Sequence, residues 1–262
     1  MRIAQVAPLA EAVPPKLYGG TERIVSYLTE ELVAMGHDVT LFASGDSITS
    51  ANLEAVVQVA LRLDPESRDP VSPHVLAVTR VVDMLDQFDI VHFHIDHFQL
   101  PVMRERDTPY VTTFHGRLDL KELQPLMDAY PRAPFISISD SQRRPLKNVN
   151  WAGTILHGLP KDLLPMGQGE GGYLAFLGRI SPEKGPDAAI RIARAAGIPL
   201  KIAAKVDRAD RDYFDEVIRP MLDGPGVEFI GEINEQQKAD FLGNARALLF
   251  PIDWPEPFGL VM

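Results

Sequence analysis

The sequence predicts an α/β protein made of two doubly wound domains, each with a mostly parallel sheet. Short apolar runs alternate along the chain with segments of helical apolar spacing, which is typical of βα units in open parallel sheets. This alternation is interrupted near the middle by Leu159–Gly172, a segment rich in glycine and proline. Such a composition favours a linker. We therefore expect a first domain over residues 1–165 and a second over residues 166–262.

The first domain is predicted to begin with a βαβ unit. Arg2–Ala7 is an apolar strand, and the loop after it leads to the pair Gly19 and Gly20. Thr21 can cap a helix through its hydroxyl. That helix is supported by apolar side chains at helical spacing, namely Ile24, Val25, Leu28, Leu32 and Val33. The next strand is expected at Asp38–Ala43, parallel to the first.

The rest of the first domain continues the alternation. A weak strand pattern covers Leu53–Val59, and Pro73–Phe88 has the apolar spacing of a helix. The further strands expected from apolar runs are Asp89–Ile95, Tyr110–Phe114, Phe135–Ile138 and Thr154–Leu156. Because each run lies beside a candidate helix, we expect helices on both faces of the sheet.

The second domain repeats the pattern over a shorter length. Its strands are expected at Tyr173–Leu177, Leu200–Ala204, Val227–Ile230 and Ala247–Pro251, with helices near 183–196, 208–222 and 234–245. A last helix is expected to open at Pro257–Met262. The glycines Gly167, Gly169 and Gly172 match the spacing G-x-G-x-x-G, but they precede a strand rather than follow one. This position argues against a dinucleotide fingerprint.

Composition restricts the class of partner. The net charge is −10 and the pI is about 5.2, whereas nucleic acids and anionic membranes call for basic surfaces. With no cysteine, the chain has neither disulfides nor thiolate metal ligands. No secretory leader or apolar run of about 18 residues is evident, so we expect a cytoplasmic protein with no indicated membrane association.

The segment F-L-G-R-I-S-P-E-K-G-P, residues 176–186, predicts an anion site. Arg179 and Lys184 flank Ser181 and Pro182, and proline is well placed at the start of a helix. Unpaired backbone N–H groups at a helix N-terminus, together with two cations, suit a diphosphate. The alternative is that both cations only solvate the start of the helix.

A histidine-rich motif, H-F-H-I-D-H, offers two functions. His92 and His94 share one face of a strand, and Asp96 and His97 follow near its carboxyl end. These residues could contact a ligand in the crevice at that end of the sheet, or His92 and His94 could be packed in the core. They also match the H-x-H-x-D-H pattern of zinc hydrolases of the metallo-β-lactamase type, for which the chain offers few later ligands.

Three segments together resemble one enzyme family. They are Tyr18–Glu22, the stretch G-R-I-S-P-E-K-G at 178–185, and P-E-P-F-G-L-V-M at 255–262. In this order they resemble the retaining glycosyltransferases of family 4, which have the GT-B fold of two Rossmann-like domains facing a cleft. That family has two glutamates separated by seven residues; Glu256 matches the first, and the second would fall two positions beyond Met262. The resemblance thus implies an incomplete second domain.

The resemblance also implies roles for individual residues. The catalytic set is His115 at the donor sugar, Arg179 and Lys184 at the diphosphate, and Glu256 at the sugar hydroxyls. The donor-binding set is Gly19, Gly20, Lys205, Gly231, Ile233, Phe258, Gly259 and Leu260. On the acceptor side are His94, Asp96 and His97. The duller alternatives are ordinary glycine turns, a satisfied histidine at a strand end and a salt-bridged surface lysine.

Two further segments compare differently with the family. Ser139, Asp140 and Ser141 resemble its serine-rich turn, and they are explained equally well as a helix cap. His157 and Gly158 stand where the family more usually has Asn-Gly, which puts that local contact in doubt.

We therefore expect a metal-independent retaining hexosyltransferase. Its donor is a nucleoside-diphosphate sugar, its acceptor is a sugar or another hydroxyl compound, and it needs no cofactor. Two other hypotheses stay open at this point. One is a zinc-dependent hydrolase that uses the histidine motif, and the other is a nucleotide-sugar-binding fragment without turnover.

Overall fold

The computed structural model describes all 262 residues, and they divide into two compact units, Met1–Leu159 and Pro160–Met262. The division falls at the start of the segment that is rich in glycine and proline. Each unit has its own parallel sheet. The predicted fold class, α/β with two Rossmann-like doubly wound domains, is confirmed.

The first unit contains a sheet of seven parallel strands in the order β3-β2-β1-β4-β5-β6-β7. The strands are β1 Arg2–Val6, β2 Asp38–Ser44, β3 Asn52–Val57, β4 Ile90–Phe93, β5 Tyr110–Thr113, β6 Phe135–Ser137 and β7 Trp151–Thr154. The helices are α1 Gly20–Ala34, α2 Val71–Asp83, α3 Leu100–Met103, α4 Leu123–Ala129 and α5 Asp140–Arg143. The strand order reverses between β1 and β4, and ligands bind at such a point in open α/β sheets.

Both faces of this sheet are covered. Successive side chains of a strand point to opposite faces. In β2, Phe42 packs in a cluster with Val78 and Val81 of α2, whereas Leu41 packs with Val25 of α1 in a second cluster. Full burial of such a side chain is worth about 1.5–3 kcal/mol. Burial on two faces therefore accounts for the continuous apolar runs in the strands.

The second unit contains four parallel strands in the order β10-β9-β8-β11. They are β8 Leu174–Arg179, β9 Leu200–Lys205, β10 Val227–Gly231 and β11 Ala247–Leu248. Its helices are α6 Pro186–Ala196, α7 Arg211–Tyr213, α8 Arg219–Leu222 and α9 Glu235–Gly243. The order reverses between β8 and β11. This is the kind of position at which open α/β sheets bind ligands.

Several expected boundaries are corrected by the structure. The helix expected at 208–222 is divided into a 3₁₀ turn, α7, a π turn at Phe214–Ile218 and α8. The π turn lies just before Pro220, which lacks an N–H and cannot continue the i to i−4 ladder. The expected strand Thr154–Leu156 lies earlier, at Trp151–Thr154. The ring of Trp151 packs against Phe135, while Ile155 and Leu156 are exposed.

The expected linker also has structure of its own. The backbone amides of Gly169 and Gly171 donate hydrogen bonds to the carbonyls of Gly243 and Asn244, 2.9 and 2.8 Å away. This contact fastens the segment to the end of α9. The longest helix of the chain, α1, has 15 residues, and no helix combines the length and apolarity that a membrane crossing requires.

Candidate functional site

The loop after β1 brings Gly19 to the start of α1. Gly19 has a φ of 149°, and a Cβ there would lie 2.7 Å from the Cβ of Pro15, so only glycine fits. The helix begins at Gly20, which is exposed, and no side chain caps it. This corrects the expectation that Thr21 caps the helix. An uncapped N-terminus leaves backbone N–H groups and a partial positive charge for an anion.

A chain of buried polar side chains runs across the strand-order reversal of the first sheet. The Nε2 atom of His94 lies 2.8 Å from the amide oxygen of Gln5, and its Nδ1 atom lies 2.9 Å from Nε2 of His115. Both Gln5 and His94 are almost completely buried. His92 makes a separate hydrogen bond of 2.7 Å between Nε2 and the hydroxyl of Thr113. His157 stacks on His115 with their ring centroids 5.1 Å apart.

These four imidazoles are held neutral at pH 7. Burial lowers the pKa of His92 to about 4. Burial likewise lowers the pKa of His157 to about 4. For His94 and His115, burial and the neighbouring histidines hold the pKa well below its usual value. The cluster therefore offers neutral donors and acceptors rather than cations.

The geometry of the histidine motif does not assemble a zinc site. The imidazoles of His92 and His94 are committed to Thr113, Gln5 and His115. His97 is exposed and stacks on Phe98. No group of three or more histidines, cysteines and carboxylates is arranged to hold a metal ion. The zinc-hydrolase alternative therefore lacks its ligand set.

The predicted acceptor-side residues separate into two environments. His94 is 3% exposed and both of its ring nitrogens are hydrogen bonded, so the expected acceptor contact is corrected to an interior position. Asp96 and His97 are exposed just beyond the end of β4. Asp96 has a φ of 56°, and its carbonyl accepts a hydrogen bond of 3.1 Å from the side chain of Gln99. These two residues remain available for a hydroxyl compound.

The serine-rich turn after β6 forms a helix cap. The hydroxyl of Ser139 accepts a hydrogen bond of 3.0 Å from the backbone amide of Gln142. The side-chain amide of Gln142 in turn donates to the carbonyls of Phe114 and Gly116, 3.0 and 2.8 Å away. This turn therefore supports the backbone on either side of His115.

In the second unit, the predicted diphosphate cations lie at the carboxyl end of β8. Arg179 has three carboxylate neighbours: Glu183 at 2.5 Å, Asp210 at 3.5 Å and Asp207 at 3.9 Å. Lys205, at the end of β9, lies 2.7 Å from Asp207. Lys205 therefore forms the salt bridge that was the alternative to a donor-binding role. In this state the cations are largely balanced by acidic side chains.

Lys184 and Glu256 meet at the strand-order reversal of the second sheet. Lys184 Nζ lies 2.5 Å from Glu256 Oε2, and the two side chains are 17% and 15% exposed. The ammonium group also lies 5.2 Å from the ring centroid of Trp254, within the range of a cation–π contact. Two residues 72 positions apart, taken from two separate motifs, thus form one ion pair.

The carboxylates around Arg179 differ in their acidity. Burial acts to raise the pKa of Glu183, but hydrogen bonds from its own backbone, Ser181 and Arg179 lower that pKa overall. Burial raises the pKa of Asp210, since the attraction of Arg179 is opposed by Glu183 and Asp207. Asp210 therefore keeps its proton to a higher pH than an ordinary aspartate does.

The expected helix starts at the anion site are corrected. Pro182–Lys184 forms a 3₁₀ turn, and α6 begins only at Pro186. Gly185 separates them with a φ of 67°, and a Cβ there would lie 2.3 Å from the carbonyl oxygen of Pro251. A side chain at this position would thus strain the backbone and clash with the loop after β11.

The C-terminal motif does not form a helix. Residues 257–262, with Phe258, Gly259 and Leu260, adopt irregular and turn structure, and the amide of Met262 donates to the carbonyl of Gly259 at 3.0 Å. The expected row of helix N–H groups beside Glu256 is therefore absent.

Two of the predicted donor-binding residues, Gly231 and Ile233, lie at or just after the end of β10. Ile233 is 8% exposed and packs in the core with Tyr173 and Phe241. Gly231 ends β10 with a φ of 75°. Neither residue therefore presents a side chain for a polar contact with a ligand.

Sequence reasoning missed the polar partners of the predicted residues: Gln5, Thr113, Glu183, Asp207 and Asp210. Gln5 had a detectable signal, because it is the polar residue inside the apolar run of β1 and is 1% exposed. Asp207 and Asp210 lie in a loop, where acidic residues are common and carry no such signal.

Comparisons with known proteins identify a family and structures of similar fold. Residues 18–152 match the family described as Glycosyltransferase Family 4. AviGT4, described as a glycosyltransferase of avilamycin A biosynthesis, is 24% identical, with a TM-score of 0.69 over 100% of this chain and 75% of its own. Sucrose-phosphate synthase from Thermosynechococcus elongatus is 16% identical, with a TM-score of 0.76 over 100% of this chain and 77% of its own.

A third similar structure contains ligands. HepE from Anabaena, in complex with UDP and glucose, is 14% identical, with a TM-score of 0.73 over 100% of this chain and 77% of its own. No curated protein matches the sequence significantly.

Proposed function

Because the chain belongs to glycosyltransferase family 4, we propose that it transfers a hexose from a nucleoside-diphosphate sugar to a hydroxyl acceptor. The proposal includes retention of the anomeric configuration and independence of a metal ion. It is supported most directly by the Lys184–Glu256 ion pair, which joins the two motifs of the second unit at the strand-order reversal of its sheet. A similar structure, that of HepE, was determined with UDP-glucose.

The cations serve the leaving group in this proposal. Departure of the nucleoside diphosphate builds negative charge on its oxygens, and fixed positive groups in a water-poor site stabilise that charge. Arg179 at the end of β8 and Lys184 at the end of the following 3₁₀ turn supply two positive charges. Lys184 is 17% exposed, so its charge is only weakly screened by water.

Donor binding then requires an exchange of partners. Arg179 and Lys184 now contact carboxylates, and the diphosphate must replace some of these contacts. When Lys184 turns to a phosphate oxygen, Glu256 loses its cation and becomes an acceptor for a sugar hydroxyl. The exchange thus gives each member of the ion pair its own part of the donor.

We assign the sugar and the acceptor to residues of the first unit. Gly19 and Gly20 have no Cβ and allow the backbone to approach the donor closely. His115 contacts the donor sugar. The exposed residues Asp96 and His97 bind the compound that accepts the sugar. The Asp96 carboxylate accepts a hydrogen bond from the hydroxyl group of that compound. The acceptor oxygen attacks from the face that the diphosphate leaves, and a phosphate oxygen takes the hydroxyl proton. The new glycosidic bond therefore keeps the configuration of the bond that breaks.

The test is a turnover assay with UDP-glucose, GDP-mannose and ADP-glucose as donors. Arg179→Ala and Lys184→Ala are each expected to reduce kcat by about 10²-fold, the usual effect of losing one charge stabiliser. Arg191→Ala is the matched control, because Arg191 also pairs with a carboxylate at i,i+4 but is 62% exposed. A chelator should leave the rate unchanged.

Three outcomes would count against the proposal. Parental turnover in both variants would remove the assigned role of the cations. Loss of activity on chelation would contradict metal independence. Nucleotide binding without turnover of any donor would favour a binding function instead.

A further inference from the structure

One buried atom beside the proposed sugar site has no partner. Nδ1 of His115 is buried and makes no hydrogen bond, although the other ring nitrogen, Nε2, is bonded to His94. A buried polar atom without a partner carries a desolvation cost, and such atoms are rare in folded chains. This atom therefore calls for a functional or structural reason.

The hydrogen bonds behind His115 determine where its proton lies. The amide oxygen of Gln5 is an acceptor only, so Nε2 of His94 must carry the proton of their 2.8 Å bond. Since neutral imidazole carries one proton, Nδ1 of His94 is an acceptor. It accepts a hydrogen bond of 2.9 Å from the N–H group at Nε2 of His115. The Nδ1 atom of His115 then holds a bare lone pair.

We propose that Gln5 and His94 are positioning residues that fix the tautomer of His115, so that its Nδ1 atom accepts a hydrogen bond from a hydroxyl group of the bound sugar. The proposal rests on the proposed function for the identity of the ligand, but the tautomer itself does not. The proposal makes a chemical prediction. The lone pair of His115 Nδ1 favours a sugar with a hydroxyl group at this position, and it disfavours a sugar with a carbonyl group or a deoxygenated carbon there.

The surroundings of the relay fit this role. Gln5 and His94 are 1% and 3% exposed, so water cannot compete for their hydrogen bonds. Gln5 lies in β1 and His94 follows β4 directly, and these paired central strands hold the relay rigidly. Because the pKa of His94 is low, its imidazole does not take up a second proton at pH 7.

His157 packs face to face against His115. Its ring stacks on His115 at an interplanar angle of 18°, and it lies in irregular structure after β7. Because Nδ1 of His115 is buried, a hydroxyl group reaches it only when neighbouring side chains move.

The decisive measurement is the tautomer. Histidine labelled with ¹⁵N in the full chain, examined by long-range ¹H–¹⁵N correlation at pH 7 without ligand, should show the proton of both His94 and His115 on Nε2. Gln5→Glu keeps an oxygen acceptor and should keep this pattern. Gln5→Leu removes the acceptor and should give mixed tautomers at His115. Thr113→Val is the matched control, because it disturbs only the partner of His92.

Turnover with UDP-glucose, GDP-mannose and ADP-glucose gives the second readout. Gln5→Leu should reduce kcat/KM about tenfold or more, the effect of one hydrogen bond, while Gln5→Glu and Thr113→Val stay near the parent. If Gln5→Leu does not fold, the parental spectrum and Gln5→Glu still decide the question. A proton on Nδ1 of His115 in the parent, or an unchanged tautomer and rate in Gln5→Leu, would overturn the inference. Turnover of none of the donors by the parent would instead count against the proposed function.

Discussion

The buried histidine cluster makes the stability of the first unit depend on pH. Burial lowers the pKa of His92 from 6.5 to about 4. Its imidazole is therefore neutral in the folded chain and takes up a proton on unfolding below pH 6.5. The stability that it contributes is fully present above pH 6.5 and is lost as the pH falls toward 4.

The size of this effect follows from the two pKa values. One pKa unit corresponds to about 1.4 kcal/mol, so a histidine that titrates at 6.5 unfolded and about 4 folded costs about 2 kcal/mol between pH 7 and pH 5. His157, with its pKa also lowered to about 4, adds a loss of the same direction. Acidification to pH 5 should thus remove a large part of the stability of an ordinary domain.

The assay compares the parent with His92→Gln, which does not titrate and retains an amide for Thr113. Urea unfolding is followed through Trp151 in a Trp254→Phe background, since the chain has two tryptophans. The free energy of unfolding of the parent should fall about 2 kcal/mol further than that of the variant between pH 7 and pH 5. At pH 8, His92 is neutral in both the folded and the unfolded parent. The difference in unfolding free energy between the parent and the variant at this pH therefore measures the effect of the substitution without titration. Parallel pH profiles for the two chains would refute the reasoning.

Three further predictions concern single positions. Gly185→Ala should lower the stability of the second unit by more than about 1 kcal/mol in thermal unfolding, because the φ of 67° and the carbonyl of Pro251 exclude a Cβ; an unchanged Tm would contradict this geometry. Ser139→Ala should cost about 1 kcal/mol in urea unfolding, the usual value of an N-cap, and Ser139→Asp should restore it. Glu256→Gln should tighten UDP binding several-fold in calorimetry while reducing transfer, since Lys184 is then no longer neutralised. Weaker UDP binding in that variant would refute the exchange of partners.

The sequence predicted the architecture well where apolar periodicity is strong. Most of the strands fall within a few residues of their expected positions, because buried strands in a parallel sheet are continuously apolar. The misplacement of β7 has a clear reason. Ile155 and Leu156 look like a strand in sequence but are exposed, and Trp151 provides the core contact instead.

The candidate site was predictable in its motifs and not in its contacts. Spacing and resemblance led to Lys184 and Glu256, yet only the folded chain joins them in one ion pair. The link between Gln5 and His94 spans 89 positions and depends on the pairing of β1 with β4. Such long-range side-chain contacts leave no local pattern in a single sequence.

The central claim is that the cations of the second unit hold a nucleoside diphosphate. Calorimetric titration of the full chain with UDP, GDP and ADP tests it most directly. We expect at least one of them to bind, with affinity reduced tenfold or more by Arg179→Ala or Lys184→Ala and unchanged by Arg191→Ala. Equal affinity in all four chains, or no binding of any of the three to the parent, would contradict the account.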